Sequence, residues 1–101
     1  MKVIDLKTTA TQDIFENLNV IAYPNPFSNE LNIQLELSEN SKISIDLCDY
    51  TGRRITNVLP EIILTSGSYN FPVHIDVPSG YYSLKIVKAG KIYHKSVVRI
   101  D

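Results

Sequence analysis

The 101-residue chain has no tryptophan, one cysteine (Cys48), one methionine and four glycines. A single cysteine excludes an internal disulfide and argues against a cysteine-based metal site. The four glycines are well spread, so no glycine-rich phosphate loop exists. The formal net charge is −1, which removes any general electrostatic pull toward nucleic acid or anionic lipid. No apolar run approaches the roughly 18–20 residues of a membrane-spanning helix. The opening MKVIDLKTTATQD lacks the apolar core of a signal peptide, so an export signal, if one is used, is expected on a part of the protein outside this chain. Hydrophobic residues make up 44% and charged residues 21%, the composition of one folded domain with one core.

What the chain does have is alternation. Residues 1–19 are expected to be a linker or tail, with Lys7–Asp13 polar and a short amphipathic turn around Ile14, Phe15 and Leu18. From Leu18 the apolar period is two. Leu31, Ile33, Leu35 and Leu37 alternate with Asn32, Gln34 and Glu36, which predicts a half-buried strand. A turn at Ser38–Ser41 leads to a second strand on Ile43, Ile45 and Leu47, and the two form a hairpin. Asp49-Tyr50-Thr51-Gly52 is a turn in which Asp49 caps the backbone and Gly52 takes a positive φ. Arg53 to Leu59 predicts a third strand ended by Pro60, with Glu61–Thr65 a separate short stretch. Tyr69, Phe71, Val73, Ile75 and Val77 share a face of the next strand, and Pro72 on the other face makes it an edge strand or a bulged one. Pro78-Ser79-Gly80 and Ala89-Gly90 are turns around a strand bearing Tyr82, Leu84 and Ile86, and Lys91–Ile100 is the last strand. About seven short strands, with turn signals about every ten residues and no long helix, predict an all-β, immunoglobulin-like antiparallel sandwich.

Catalytic constellations are absent from the pattern. His74 and His94 are about 20 residues apart and match no short metal-ligand spacing. Asp46 and Asp49 supply too few oxygens for calcium. Cys48 lies on the polar register of its strand beside two acids that disfavour a thiolate. The chain is therefore expected to be no enzyme, with no cofactor and no nucleic-acid partner. Two features stay open. Tyr50, Tyr69, Tyr81, Tyr82 and Tyr93 either fill sheet faces and edges or present rings to a sugar. Lys85, Lys88, Lys91, Lys95 and Arg99 are either a solvated edge that blocks sheet-to-sheet pairing or a docking surface.

Several landmarks occur in a fixed order: Tyr23-Pro24-Asn25-Pro26-Phe27, an alternating hairpin, Asp49-x-x-Gly52-Arg53, Gly67, Pro78-Ser79-Gly80-Tyr81-Tyr82 and Lys95-Ser96-Val97-Val98-Arg99-Ile100. Over residues 20–101 the chain resembles the type A C-terminal sorting domain of the type IX (Por) secretion system. The resemblance implies a non-catalytic signal at the end of a larger protein, covalently linked to an N-terminal passenger. It implies recognition by an outer-membrane translocon and removal by a sortase-type peptidase, with the protein passing through the periplasm to the cell surface or beyond. Carried over residue by residue, it marks Gly80, Tyr81, Lys95, Val97, Val98 and Arg99 for translocon recognition. It marks Pro24, Asn25 and Pro26 as the start of the domain, and Asp49 and Gly52 as a turn. Arg99 stands where the family more commonly has lysine, keeping the charge but presenting a planar fork. The cut is expected within about Thr8–Asn19. The alternative is a carbohydrate-binding or adhesive sandwich of a secreted protein, and a homodimer through an edge strand is compatible with either reading.

Overall fold

The computed structural model describes residues 12–15 and 18–100, with side chains from Leu18 onward. Eight strands follow in order: β1 (Gln12–Phe15), β2 (Leu18–Tyr23), β3 (Glu30–Leu37), β4 (Ser41–Asp49), β5 (Arg54–Leu64), β6 (Gly67–His74), β7 (Gly80–Lys88) and β8 (Lys91–Arg99). They form two antiparallel sheets, ordered β1-β2-β3-β6 and β5-β4-β7-β8. The expected sandwich is therefore present, with β2–β8 as its seven principal strands and β1 as a short addition. In immunoglobulin lettering β2, β3 and β6 are A, B and E, and β5, β4, β7 and β8 are C′, C, F and G. A further mark of that fold stands at the start of the F strand: the Tyr82 hydroxyl donates to the Pro78 carbonyl at 2.6 Å, the geometry of a tyrosine corner.

Alternation produces the core directly. On β3, Leu31, Ile33, Leu35 and Leu37 are all buried while Gln34 and Glu36 are exposed. Ile43, Ile45 and Leu47 of β4 and Leu84 and Ile86 of β7 bring the second sheet to the same core. Because successive side chains of a strand point to opposite faces, one face of each sheet is apolar and the two pack together. Tyr69 and Phe71 of β6 stack at 6.2 Å between centroids. The Tyr69 hydroxyl donates to the Thr65 carbonyl at 2.7 Å.

Four expectations need correction. The residues around Ile14, Phe15 and Leu18 form no amphipathic turn: β1 and the start of β2 pair as a hairpin, from Gln12 against Ile21 to Phe15 against Leu18. Pairing satisfies backbone groups that the edge of β2 would otherwise leave open. Of the polar stretch Lys7–Asp13, residues 7–11 lie outside the described residues. Pro60 does not end a strand. Arg53–Leu59 and Glu61–Thr65 are largely one strand, β5, whose register against β4 shifts between Ile43 and Ile45 and again between Ile45 and Asp46. An edge strand with bulges has no partner on its outer side, so a proline costs it no ladder bond. β6 likewise stops at His74, short of Val77. Ile75 is nevertheless buried, its N–H donating to the Asn29 carbonyl at 2.8 Å. Pro72 fits the edge reading, since β6 is the last strand of its sheet.

The fourth concerns Cys48, which keeps the outward register read from the sequence, opposite Ser83, but is buried there. Leu47 faces the core and Cys48 the outer face, so the two consecutive residues are buried on opposite sides of the sheet. Burial pushes the thiol pKa up, and Asp46 adds to the rise. The native thiol is thus protonated and shielded. Thiol alkylation near pH 8 should therefore be slow in the folded protein and accelerate sharply in denaturant. Equal rates in both conditions would contradict the burial.

Candidate functional site

The residues singled out in the sequence converge on one end of the β5-β4-β7-β8 sheet. The β7–β8 register places Gly80 opposite Arg99, Tyr81 opposite Val98, Tyr82 opposite Val97, and Leu84 opposite Lys95. Asp49, at the end of β4, pairs with Tyr82. A tight turn at Ala89 and Gly90, with φ of 51° and 84°, fixes that register, since two successive positive φ values give the hairpin turn that matches strand twist. Ala89 accepts this conformation while its N–H donates to the Lys42 carbonyl at 2.9 Å.

Residues 25–27 lie along the outer edge of β8. Phe27 forms a parallel bridge with Arg99. Its N–H donates to the Val98 carbonyl at 2.8 Å, and its carbonyl accepts from the Ile100 N–H at 2.8 Å. One turn of chain earlier, the Asn25 side chain accepts from the Val98 N–H at 2.9 Å and donates to the Ser96 carbonyl at 3.2 Å. Three backbone groups of β8 and the Ile100 N–H just beyond it are thus satisfied by two residues. The Phe27 ring is wholly buried. Tyr23-Pro24 and Asn25-Pro26 are both cis peptides. An asparagine between two prolines suggests a local backbone tie, and the tie found here spans more than seventy residues.

Arg99 belongs to the same strap. Its Nε donates to the Ser28 carbonyl at 2.6 Å and its Nη2 to Asn29 Oδ1 at 3.0 Å. The planar fork reaches two acceptors at once, which a lysine ammonium would do less rigidly. Lys95 differs from expectation more sharply. Both Lys95 and Lys88 are buried, at 4% and 5% exposure, because both occupy the core-facing register of their strands. Lys88 reaches Glu39 at 3.6 Å. The basic residues of the last hairpin therefore form no continuous solvated edge. Val97 is buried, and the exposed member of the set is Tyr81. The strap also limits pairing with a second copy along β8, since residues 96–100 of that edge are already bonded.

Asp49 organises the turn beside this end. Its Oδ1 accepts from the Thr51 N–H at 2.9 Å, the Thr51 hydroxyl at 2.5 Å and the Arg53 N–H at 3.0 Å. Gly52, at φ +93°, returns its N–H to the Asp49 carbonyl at 2.9 Å. The Thr51 hydroxyl is the main cause that holds the Asp49 pKa below its ordinary value, with the two backbone N–H groups and Arg53 adding to it against partial desolvation. Asp46 accepts separately from Asn57 Nδ2 at 2.7 Å. Among the described residues no group of three or more His, Cys, Asp or Glu side chains could hold a metal ion.

The described residues thus form a two-sheet all-β domain whose β2–β3 crossover is bonded to the C-terminal strand. The family model for the secretion system C-terminal sorting domain matches residues 21–100, and the chain belongs to that family, the sorting tail of type IX (Por) secretion. Such a tail marks proteins that pass through the outer membrane to the cell surface or the extracellular space. A search of curated proteins found no match.

The strap and the turn give two expected outcomes. Phe27→Ala should destabilise the domain by about 3–5 kcal/mol, the usual range for a buried aromatic, read from urea unfolding; a loss below about 1 kcal/mol would mean that the buried ring carries no weight. Asp49 has a depressed folded pKa, so its contribution is full above the unfolded aspartate range near about pH 4 and is lost as pH falls through the folded value. Melting temperatures followed down through that range should fall less steeply for Asp49→Asn than for the parent.

Proposed function

We propose that the folded domain is read as a surface by the type IX translocon at the outer membrane and is then cut from its passenger by a sortase-type peptidase. It works without catalysis of its own. The observation that carries this reading is the strap: Asn25, Phe27 and Arg99 join the β2–β3 crossover to the C-terminal strand. A receptor that touches the last strand would thereby test whether the whole domain is folded, because neither segment keeps its bonds without the other. Gly80, Tyr81, Lys95, Val97, Val98 and Arg99 make up the proposed recognition region, in two roles. Tyr81 and the rim of Val98 offer contact surface. Lys95, Val97 and Arg99 hold the strand in place from the core side and the edge.

Residues 20–101 are proposed as the sorting unit, with 1–19 as the connection to the passenger. Within the span Thr8–Asn19, the pairing of β1 favours a cut ahead of Gln12, since a bond within a ladder must first leave it to enter a peptidase cleft. Pro24 and Pro26, expected at the start of the domain, lie after β2 in the crossover to β3, because Leu18, Val20 and Ala22 already belong to the core.

The test is a passenger fused to residues 1–101 in a host carrying this secretion system. Removing residues 91–101 should abolish surface delivery. Replacing Lys95 and Arg99 together by alanine should reduce it partially and lower the melting temperature, because both side chains are built into the fold. Arg99→Lys should fall between the parent and the alanine variant. Undiminished delivery without residues 91–101 would overturn the assignment.

A further inference from the structure

Two tyrosines stand apart from the rest. Tyr69 and Tyr82 are partly buried and donate their hydroxyls to backbone carbonyls. Tyr50, in the Asp49–Arg53 turn, and Tyr81, on the outer face of β7, are 85% and 74% exposed. Among the described residues neither hydroxyl has a hydrogen-bond partner. Large rings left in water at the end of a sheet contribute nothing to the core, and the fold does not explain them. Both line one surface bay of about 280 Å3, together with Asp49, Gly52, Tyr82, Ser83 and Ser96.

The chemistry of that bay is specific. Ser83 and Ser96 are directly opposed across the β7–β8 ladder, so their hydroxyls sit side by side on the outer face. With the two phenols this gives four hydroxyls on one concave patch, each both donor and acceptor. The phenol rings supply flat apolar faces with a polar rim. Asp49 contributes a carboxylate held in its charged form by Thr51 and the Arg53 N–H. An apolar peptide side chain would leave these hydroxyls unpaired, at the cost that attaches to desolvated polar groups. A sugar ring matches them: it offers a C–H face to an aromatic ring and a fringe of hydroxyls to hydroxyl partners. Arg53 Nε stands 3.4 Å from Asp49 Oδ2, so the pair favours a neutral sugar, to which it can donate and accept, over a charged one.

The geometry points to a binding site for a neutral saccharide between Tyr50 and Tyr81, with Ser83 and Ser96 as its floor. It does not depend on the translocon reading. The shallow, open position implies weak binding, in the millimolar range, useful where the sugar is dense on a surface.

The test uses the isotope-labelled 101-residue chain and backbone amide spectra, titrated with the methyl glycosides of glucose, mannose and N-acetylglucosamine, and with glucuronate. At least one neutral glycoside should give saturable shifts confined to residues 49–52, 81–83 and 96, with glucuronate weaker. Tyr50→Ala and Tyr81→Ala should each weaken binding by about fivefold or more, the scale of one lost ring contact. Tyr81→Phe, which keeps the ring, should lose less than Tyr81→Ala. All of these side chains are solvent-facing, so melting temperatures should stay unchanged and confirm folding. No saturable shift with any neutral probe, or binding as tight as the parent's by both alanine variants, overturns the site. Glucuronate binding as tight as the neutral sugars overturns the ligand class. If Tyr81→Ala blocks surface delivery while no sugar shifts the spectra, the bay is a protein contact and the saccharide assignment falls.

Discussion

The strap between residues 25–27 and β8 is the constraint on which the arrangement of the domain depends. A sandwich strand at the edge of a sheet presents a row of open backbone groups, and such rows invite pairing with other chains. Here the far half of β8 is closed from within the molecule by one asparagine side chain and one phenylalanine backbone. The closure has a second effect. It brings the crossover between β2 and β3 against the C-terminal strand, so the two become one structural unit. Arg99 extends that unit to Ser28 and Asn29, and Phe27 plugs it into the core.

Around this unit the chemistry sorts by depth. Below the surface, Val97 and Lys95 share the inward register of β8 with the apolar residues of β7. Burial of an ammonium is expensive unless it is compensated, so Lys95 is tied to the integrity of the sandwich and is no simple surface charge. Above the surface, on the opposite register, stand Tyr81, Ser83 and Ser96, with Tyr50 and the Asp49 turn beside them. One end of one sheet therefore carries both the region proposed for translocon recognition and a hydroxyl-lined bay. Any change at Lys95 or Arg99 acts through the fold as well as through contact, while a change at Tyr81 acts through contact alone.

The sorting-domain family suggests a non-catalytic tail. A signal domain has to be stable, shaped and presentable, and the residues that would make a chemical site have ordinary employment here. Asp49 ties a turn, Asp46 pairs with Asn57 and Arg54, and Cys48 is a buried thiol. The tyrosine corner at Tyr82 and the stacked Tyr69–Phe71 pair likewise serve the sandwich.

The sequence by itself determined the class of fold and most of the strands. Alternation over Leu31–Leu37 and Ile43–Leu47 fixes which face is buried, because a shift of one residue would reverse every side chain. Turn residues fixed the hairpins at Asp49–Gly52 and Ala89–Gly90 for the same local reason. The fixed order of motifs pointed to the family. Only the tertiary structure decided what depends on neighbours distant in the chain. It decided that Pro60 is tolerated, because β5 is an edge strand with bulges. It decided that Cys48 is buried although it lies on the outward register of β4, because neighbouring side chains cover it. It decided that the first strand pair includes Gln12–Phe15, because β2 offered an open edge. Above all, Asn25 and Phe27 bond to Ser96, Val98 and Ile100, and Lys95 turns inward. Local propensity carries no information about a partner seventy residues away. Hydrogen bonds between such segments exist only once both sheets have packed.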